Sequence, residues 1–244
     1  MRYFIQFSYN GTHYHGWQIQ PNAISVQEIL TQGMQTIVNP TIELTGAGRT
    51  DAGVHAKQMF AHFDTTQELD TEKLVYKLNA YLPKDIGVQR IFAVSPNAHA
   101  RFDASKRTYE YHMHTQKNPF LTDLSWYYQP ELDVIRMNEA AQHLLQHTDF
   151  QCFSKVHTDV ATFDCKIYEA NWTHENQNLV FTISADRFLR NMVRAIVGTL
   201  INVGLHKTSL PEFEQIIRSK NRAEAGFSVP AHGLYLTKIE YPYC

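Results

Sequence analysis

The amino-acid sequence predicts an α+β protein made of two split β-α-β units in tandem. One observation behind this is the order β-α-β-β-α-β, read from the switch between period-two and helical spacing in the first hundred residues. A second is that the same order returns in the second half, although no residue-level identity links the halves. A third is composition. Among 244 residues, 43% are hydrophobic and 19% charged, which is enough apolar material for a core and unlike a disordered chain.

The elements follow in order. Tyr3, Ile5, Phe7 and Tyr9 alternate with Gln6 and Ser8, a strand that Asn10-Gly11 turns. Ser25 stands three residues before Glu28, the signature of a helix start, and Val26, Ile29, Leu30, Met34, Ile37 and Val38 follow at helical spacing. Ile42 to Thr45 and Gln58 to Phe63 read as short strands. A second helix begins at Thr71, carries Leu74, Val75, Leu78 and Leu82 on one face, and stops at Pro83. Ile86 to Ala93 completes the first unit. In the second half, Arg107 to Thr115 is strand-like and Asn138 to His147 helical. Lys166 to Thr173 and Asn178 to Ser184 are strands joined by a polar turn at Glu175-Asn176-Gln177. A helix is expected from about Phe188 to Val203 and another around Pro211, and Leu234 to Glu240 is the last strand. Pro96-Asn97 breaks the pattern between the halves, so the expected domains are 1–100 and 101–244, with no low-complexity linker.

Three cysteines, Cys152, Cys165 and Cys244, without CxxC spacing, read as reduced thiols of a cytoplasmic protein. The amino terminus enters a strand pattern at once and shows no apolar leader. The longest apolar stretch, Met192 to Leu205, contains Arg194 and Asn202 and is too short and polar for a bilayer, so no membrane partner is expected. A formal net charge of -2 does not by itself point to nucleic acid; that depends on whether cations cluster.

They do cluster. Arg187, Arg190 and Arg194, spaced three and four apart, are expected on one helical face, with Leu189, Met192, Val193, Ile196, Val197 and Leu200 opposite. Like charges so placed repel, which favours an anionic partner over a merely solvated face. Arg101, Lys106 and Arg107 precede Tyr109 and Tyr111, and cations interleaved with aromatic rings suit phosphate and an unpaired base. Tyr111 reads better as a core residue. The segment Gly46-Ala47-Gly48-Arg49-Thr50-Asp51-Ala52-Gly53-Val54-His55-Ala56 surrounds one arginine and one aspartate with small residues, which let a ligand approach closely. A tight surface loop with an Arg–Asp ion pair is an equal alternative on composition alone. The thirteen histidines form no HExxH or CxxC-type ligand set and no phosphate-binding glycine fingerprint is present, so neither metal nor nucleotide cofactor is expected.

Gly48 to Ala56 closely resembles the GRTDAGVHA signature of the tRNA pseudouridine synthase A family. The resemblance extends through Tyr9-Asn10-Gly11-Thr12, Gly16-Trp17-Gln18, Ser25-Val26-Gln27-Glu28, Asn79-Ala80-Tyr81-Leu82-Pro83, His99-Ala100-Arg101-Phe102, Arg107-Thr108-Tyr109-Glu110-Tyr111, Met192-Val193-Arg194 with Ile196-Val197-Gly198, and Gly233-Leu234-Tyr235-Leu236. It implies two RNA-recognition-like α+β domains whose sheets join around a basic cleft, a homodimer, and isomerisation of uridines 38, 39 and 40 in the tRNA anticodon stem-loop without cofactor or metal. It also implies that Asp51 is catalytic, that Tyr109 stacks on the target base, that Arg194 is the basic partner of the aspartate and that Arg49 contacts RNA. Arg187 and Arg190 are RNA-binding candidates by their spacing. Two other readings compete. A catalytically silent RNA-binding protein of the same fold leaves Asp51 in its signature unexplained. A carboxylate glycosidase usually needs a second acid, and the signature holds none.

Overall fold

The computed structural model describes residues 1–156 and 160–243. The chain is a mixed α and β protein that divides into two compact units, Met1–Ser105 with the closing segment from Leu236 onward, and Lys106–Tyr235.

The first unit contains β1 (Arg2–Tyr9), α1 (Val26–Ile37), β2 (Thr45–Gly46), β3 (His55–Asp64), α2 (Thr71–Tyr81) and β4 (Ile86–Val94). β1 lies between β4 and β3 and is antiparallel to both. β2 pairs with β3 on its other side. This central place explains why β1 is apolar on both faces: Tyr3, Ile5 and Phe7 fall on one and Phe4 on the other, and all are buried. Phe4 meets Phe60 at 6.3 Å, Phe92 at 5.9 Å and Tyr241 at 5.2 Å between ring centroids. The last strand of the chain, β9 (Leu234–Glu240), returns from Leu236 onward to lie beside β3, where the Ile239 amide donates to Gln58 Oε1 at 2.8 Å.

Helix α1 starts where expected, the Glu28 amide donating to Ser25 Oγ at 3.2 Å. α2 is capped by Asp70, whose side chain accepts the Lys73 amide at 3.0 Å. Asn79 of α2 clamps the edge strand β4: its Nδ2 donates to the Val88 carbonyl at 2.8 Å and its Oδ1 accepts from the Val88 amide at 2.8 Å. The expected strand at Ile42–Thr45 forms only from Thr45, because Ile42 and Leu44 pack inward from a loop instead of joining the ladder.

The second unit contains β5 (Lys106–His114), β6 (Trp126–Tyr127), α3 (Val134–His143), β7 (Ile167–Glu175), β8 (Asn178–Ala185), α4 (Met192–Gly204) and α5 (Leu210–Ser219). β8 lies between β5 and β7, antiparallel to both, and Leu179, Phe181 and Ile183 supply its buried face. The helix–edge clamp recurs here with different residues. Asn138 of α3 donates to the Trp172 carbonyl at 3.1 Å and accepts from its amide at 2.7 Å. α3 begins at Val134, four residues before the apolar periodicity becomes visible, because Asp133 caps it through the Arg136 amide. α4 is buried nearly all round. α5 carries a full capping box, Ser209 with Glu212.

One charged cluster ties α5 to α3 and the turn after it. Glu214 accepts from Arg218 at 2.8 Å and lies 3.2 Å from His143 and 3.1 Å from His147. Burial opposes charge on this carboxylate, but hydrogen bonds from His147, Arg218 and His143 outweigh it and hold its pKa down to about 2.

In the first unit, His62 is buried and accepts the Ala100 amide at its Nδ1, 3.2 Å away. Burial, then the charges of Arg2 and His99, push its pKa from 6.5 down to about 4. Between these values the unfolded chain binds a proton that the folded chain refuses. Stability therefore falls as pH drops through this window and levels below it. Thermal unfolding from pH 7.5 to pH 4 should show this loss in the wild type and a flatter profile in His62→Gln; parallel profiles would contradict it.

Candidate active site

The loop joining β2 to β3 holds Arg49, Thr50 and Asp51, and it is fixed by the segment that follows β1. Thr50 Oγ1 accepts the Trp17 amide at 3.0 Å and is hydrogen-bonded to the Tyr9 hydroxyl at 2.9 Å. The Gly53 amide donates to the Tyr14 carbonyl at 3.1 Å. His55 Nδ1 accepts the Gly11 amide at 3.0 Å. The loop's own turn is closed by the Val54 amide on the Asp51 carbonyl at 3.2 Å.

The two segments run so close that a side chain would not fit between them. A Cβ on Gly11 would collide with the Val54 carbonyl, and one on Gly16 with the Thr50 carbonyl. Gly16 also has φ +85°, a conformation that L side chains rarely adopt. A Cβ on Gly46 would enter the Trp17 indole, whereas one on Gly48 would meet nothing within 4 Å. The small residues therefore have distinct uses: Gly11, Gly16 and Gly46 permit packing, while Gly48 leaves open space beside Arg49. The Asp51 residue is half-buried and Arg49 exposed.

The segment that grips the loop is itself anchored. Tyr14 donates its hydroxyl to Asp85 Oδ1 at 2.7 Å, and burial together with this bond raises its pKa well above the usual tyrosine value. Spacing and composition give no role to Thr50, Tyr14, Asp85 or the close approach at Gly16. The left-handed turn needed at Gly16 is a signal that Gly16-Trp17 could have given.

In the second unit, Tyr109 lies on β5, opposite Ile183 of β8. Its ring is half-buried and meets Phe188 edge-on at 5.1 Å and 84°. Tyr111, two residues on, is fully buried and donates its hydroxyl to the Pro230 carbonyl at 2.8 Å, a packing residue as expected. Arg194 sits in the first turn of α4. Its Nε donates to the Val229 carbonyl at 2.7 Å, and the Val229 amide donates back to the Arg194 carbonyl at 3.3 Å. This fixes the root of the guanidinium. The 222–230 segment clings to α4 elsewhere: Gly226 donates to Thr199 Oγ1 at 2.8 Å, and a Cβ on Gly198 would strike the Phe227 carbonyl.

The expected common helical face for Arg187, Arg190 and Arg194 does not form. α4 begins at Met192, and Asn191 before it has φ 66°, which breaks any continuous helix from Phe188. Arg187 and Arg190 belong to the connection from β8. There Asp186 Oδ1 accepts the Arg187 amide at 2.7 Å and the Lys166 amide at 2.8 Å, and Arg107 donates to the Asp186 carbonyl at 2.9 Å. Buried Leu189 pins this connection, and the Lys155 amide donates to the Arg190 carbonyl at 3.0 Å. Local hydrogen bonding to Asp186 and an inward leucine thus outweigh helical spacing. Arg190 is exposed and Arg187 half-buried. Part of the segment 155–164, where the family resemblance weakens, lies outside the described residues, as does Cys244. Cys152 and Cys165 are buried free thiols whose pKa burial pushes up to about 12, which makes them unreactive. Among the described residues, no helix is long and apolar enough to cross a membrane.

Comparison with known proteins gives these two sets of residues a common context. The family profile described as tRNA pseudouridine synthase matches residues 5–103 and 140–242. The chain is 54% identical to the tRNA pseudouridine synthase A of Bacteroides fragilis over 243 residues, covering 99% of this chain and 96% of the relative. It is 51% identical to that of Porphyromonas gingivalis, covering 99% and 97%, and 38% identical to that of Bacillus subtilis, covering 99% of both. The chain belongs to the tRNA pseudouridine synthase family and is an isomerase.

The grip on the loop predicts two variants. Thr50→Val leaves the Trp17 amide without its acceptor, at a cost of about 1 kcal/mol or more of stability. It should also lower turnover roughly ten- to a hundredfold by displacing the loop, whereas Thr50→Ser should keep most of the activity. Gly16→Ala should be worse in both respects, since strain and a backbone collision combine; melting curves and single-turnover rates on tRNA check both variants.

Proposed function

We propose that this enzyme converts uridine to pseudouridine at positions 38, 39 and 40 of the tRNA anticodon stem-loop, using Asp51 as the essential group. The observation that carries the reading is the placement of Asp51 on a loop held through its neighbour Thr50 and packed against Gly11 and Gly16. Asp51 stands beside the Tyr9 and Trp17 contacts to Thr50, on a backbone that cannot relax without breaking them. A carboxylate that must meet one atom of a flipped nucleotide benefits from such a base.

The reaction breaks the N1–C1′ bond of uridine, turns the uracil within the site, joins C5 to C1′ and releases the C5 proton. Atoms and electrons balance within the nucleotide, so no external oxidant, reductant or energy source enters. The family resemblance, together with this balance, supports a reaction without metal or organic cofactor. Asp51 acts ionised, as nucleophile or base, and Arg194 supplies the compensating positive charge.

Extrusion of the target base costs a few kcal/mol. Stacking on an aromatic ring returns about 1–3 kcal/mol, so the Tyr109 ring offsets most of that cost. The edge-on Phe188 contact supports this role by holding the tyrosine ring in one orientation. Arg49, Arg187 and Arg190 meet phosphates; exposure of Arg49 and Arg190 supports this assignment. The proposed domains follow the division of functional residues: an amino-terminal domain with the aspartate loop, and a carboxy-terminal one with Tyr109 and the arginines. Strand orders β4-β1-β3 in the first unit and β5-β8-β7 in the second support split β-α-β, RNA-recognition-like topology for each. The reading includes sheets joined around a basic cleft, a homodimer and work in the cytoplasm, where tRNA is modified.

The test is tritium release from tRNA labelled at uridine C5, with wild type, Asp51→Asn and Tyr109→Ala run together. Wild type should release tritium without added cofactor, and Asp51→Asn should release none above background. Tyr109→Ala should be slowed about tenfold or more, in line with the loss of one stacked base. Turnover by Asp51→Asn at the wild-type rate would sink the mechanism. Mapping the product nucleotide decides the positions.

A further inference from the structure

We propose that Phe102, with Arg101, is a fixed stacking platform for an unpaired tRNA base, separate from the Tyr109 ring. The proposal rests on the reading of the chain as a tRNA-modifying enzyme and adds a contact to it. All the residues involved belong to the first unit.

The loop between β4 and β5 is pinned at every residue from 98 to 103. Arg2 Nη1 donates to the Ala98 carbonyl at 3.0 Å. The His99 amide donates to Asp103 Oδ2 at 2.8 Å, and the Asp103 amide to the His99 carbonyl at 3.1 Å. Ala100 is held at both ends, its amide on His62 Nδ1 at 3.2 Å and its carbonyl accepting the Tyr241 hydroxyl at 2.6 Å. His99 Nδ1 accepts the amides of Arg101 at 3.1 Å and Phe102 at 3.3 Å. The Tyr243 hydroxyl closes the set on Asp103 Oδ2 at 2.9 Å.

This fully determined backbone carries an apolar ring to the surface. Ala98 and Ala100 are buried, yet Phe102 is 72% exposed. His99 backs the ring at 4.3 Å between centroids, and the Arg101 guanidinium lies 5.5 Å from its centre. The ring adds little burial to the fold, while the loop beneath it is ordered by its own hydrogen bonds and by buried Ala98 and Ala100. A ring presented on a rigid loop loses little entropy when a partner arrives.

The chemistry beside the ring selects the partner. A base offers a flat face to Phe102, and its phosphate offers a negative charge to the adjacent guanidinium. An apolar protein surface would instead cover the Arg101 guanidinium without offering it a negative charge. A polyanion with unpaired bases fits both groups at once, and the tRNA that this family modifies is such a polymer.

The experiment measures tRNA affinity of the full chain by fluorescence anisotropy at a series of salt concentrations, proteins being compared at equal salt, with sedimentation and thermal melting of each protein alongside. Phe102→Ala should weaken binding about tenfold, the loss of one stacked base, and Phe102→Trp should restore it. Arg101→Ala should reduce the salt dependence of binding by about one phosphate contact. Equal affinity for wild type and Phe102→Ala overturns the platform. So does a changed association state in Phe102→Ala with unchanged RNA affinity, which would assign the ring to contact with a second copy. Loss of binding in both Phe102→Ala and Phe102→Trp, with altered melting, overturns it in favour of a structural role. Wild type that neither binds nor modifies tRNA would instead defeat the functional reading itself, and the platform with it.

Discussion

Backbone proximity between the segment after β1 and the loop before β3 is the constraint on which the site depends. At Gly11 and Gly16 only a hydrogen atom fits between the two chains. That closeness allows Thr50 to accept from Trp17 and meet Tyr9 within ordinary hydrogen-bond distance. A wider gap would need larger side chains or water as bridges, and each added torsion would loosen Asp51. The buried sheet behind the loop supplies the rigidity: β1 and β3 pair along their length, so the two strand ends that launch these segments cannot separate.

The same economy recurs in the second unit with different chemistry. Arg194 is held at its root by Val229 and on a helix buried nearly all round, so its charged end is displayed from a fixed base. Tyr109 is set by strand register and by an edge-on phenylalanine. In both units polar side chains, Asn79 and Asn138, fasten a helix to the edge strand through both backbone groups of one residue. A bidentate clamp of this kind fixes helix position along the strand, which apolar packing alone leaves free to slide.

Several elements were legible because they follow from near neighbours in the chain. β1 was marked by alternation, α2 by periodicity and Pro83, the α1 start by Ser25 and Glu28, and β9 matched from Leu234 to Glu240. The α4 start was not legible. Arg187, Arg190 and Arg194 have helical spacing, but Asn191 adopts a left-handed conformation and Asp186 accepts the amides of Arg187 and of Lys166. Spacing reports what a helix would do with those residues, not whether a helix exists there. Ile42 and Leu44 misled for a related reason: apolar residues can turn inward from a loop as well as from a strand.

By itself the sequence determined the mixed α and β class, most element positions, and the family, through a signature around Asp51 too specific to arise from composition. These depend on local preference and on residue identity, both written along the chain. Tertiary structure alone decided that the last strand returns to lie beside β3, that Thr50, Gly53 and His55 tie the aspartate loop to the segment after β1, and that His99 and its neighbours pin a loop bearing an exposed ring. Each of these joins residues distant in the chain or depends on backbone angles at single positions. Such contacts form only once the core has brought the segments together, and no periodicity in the sequence encodes them.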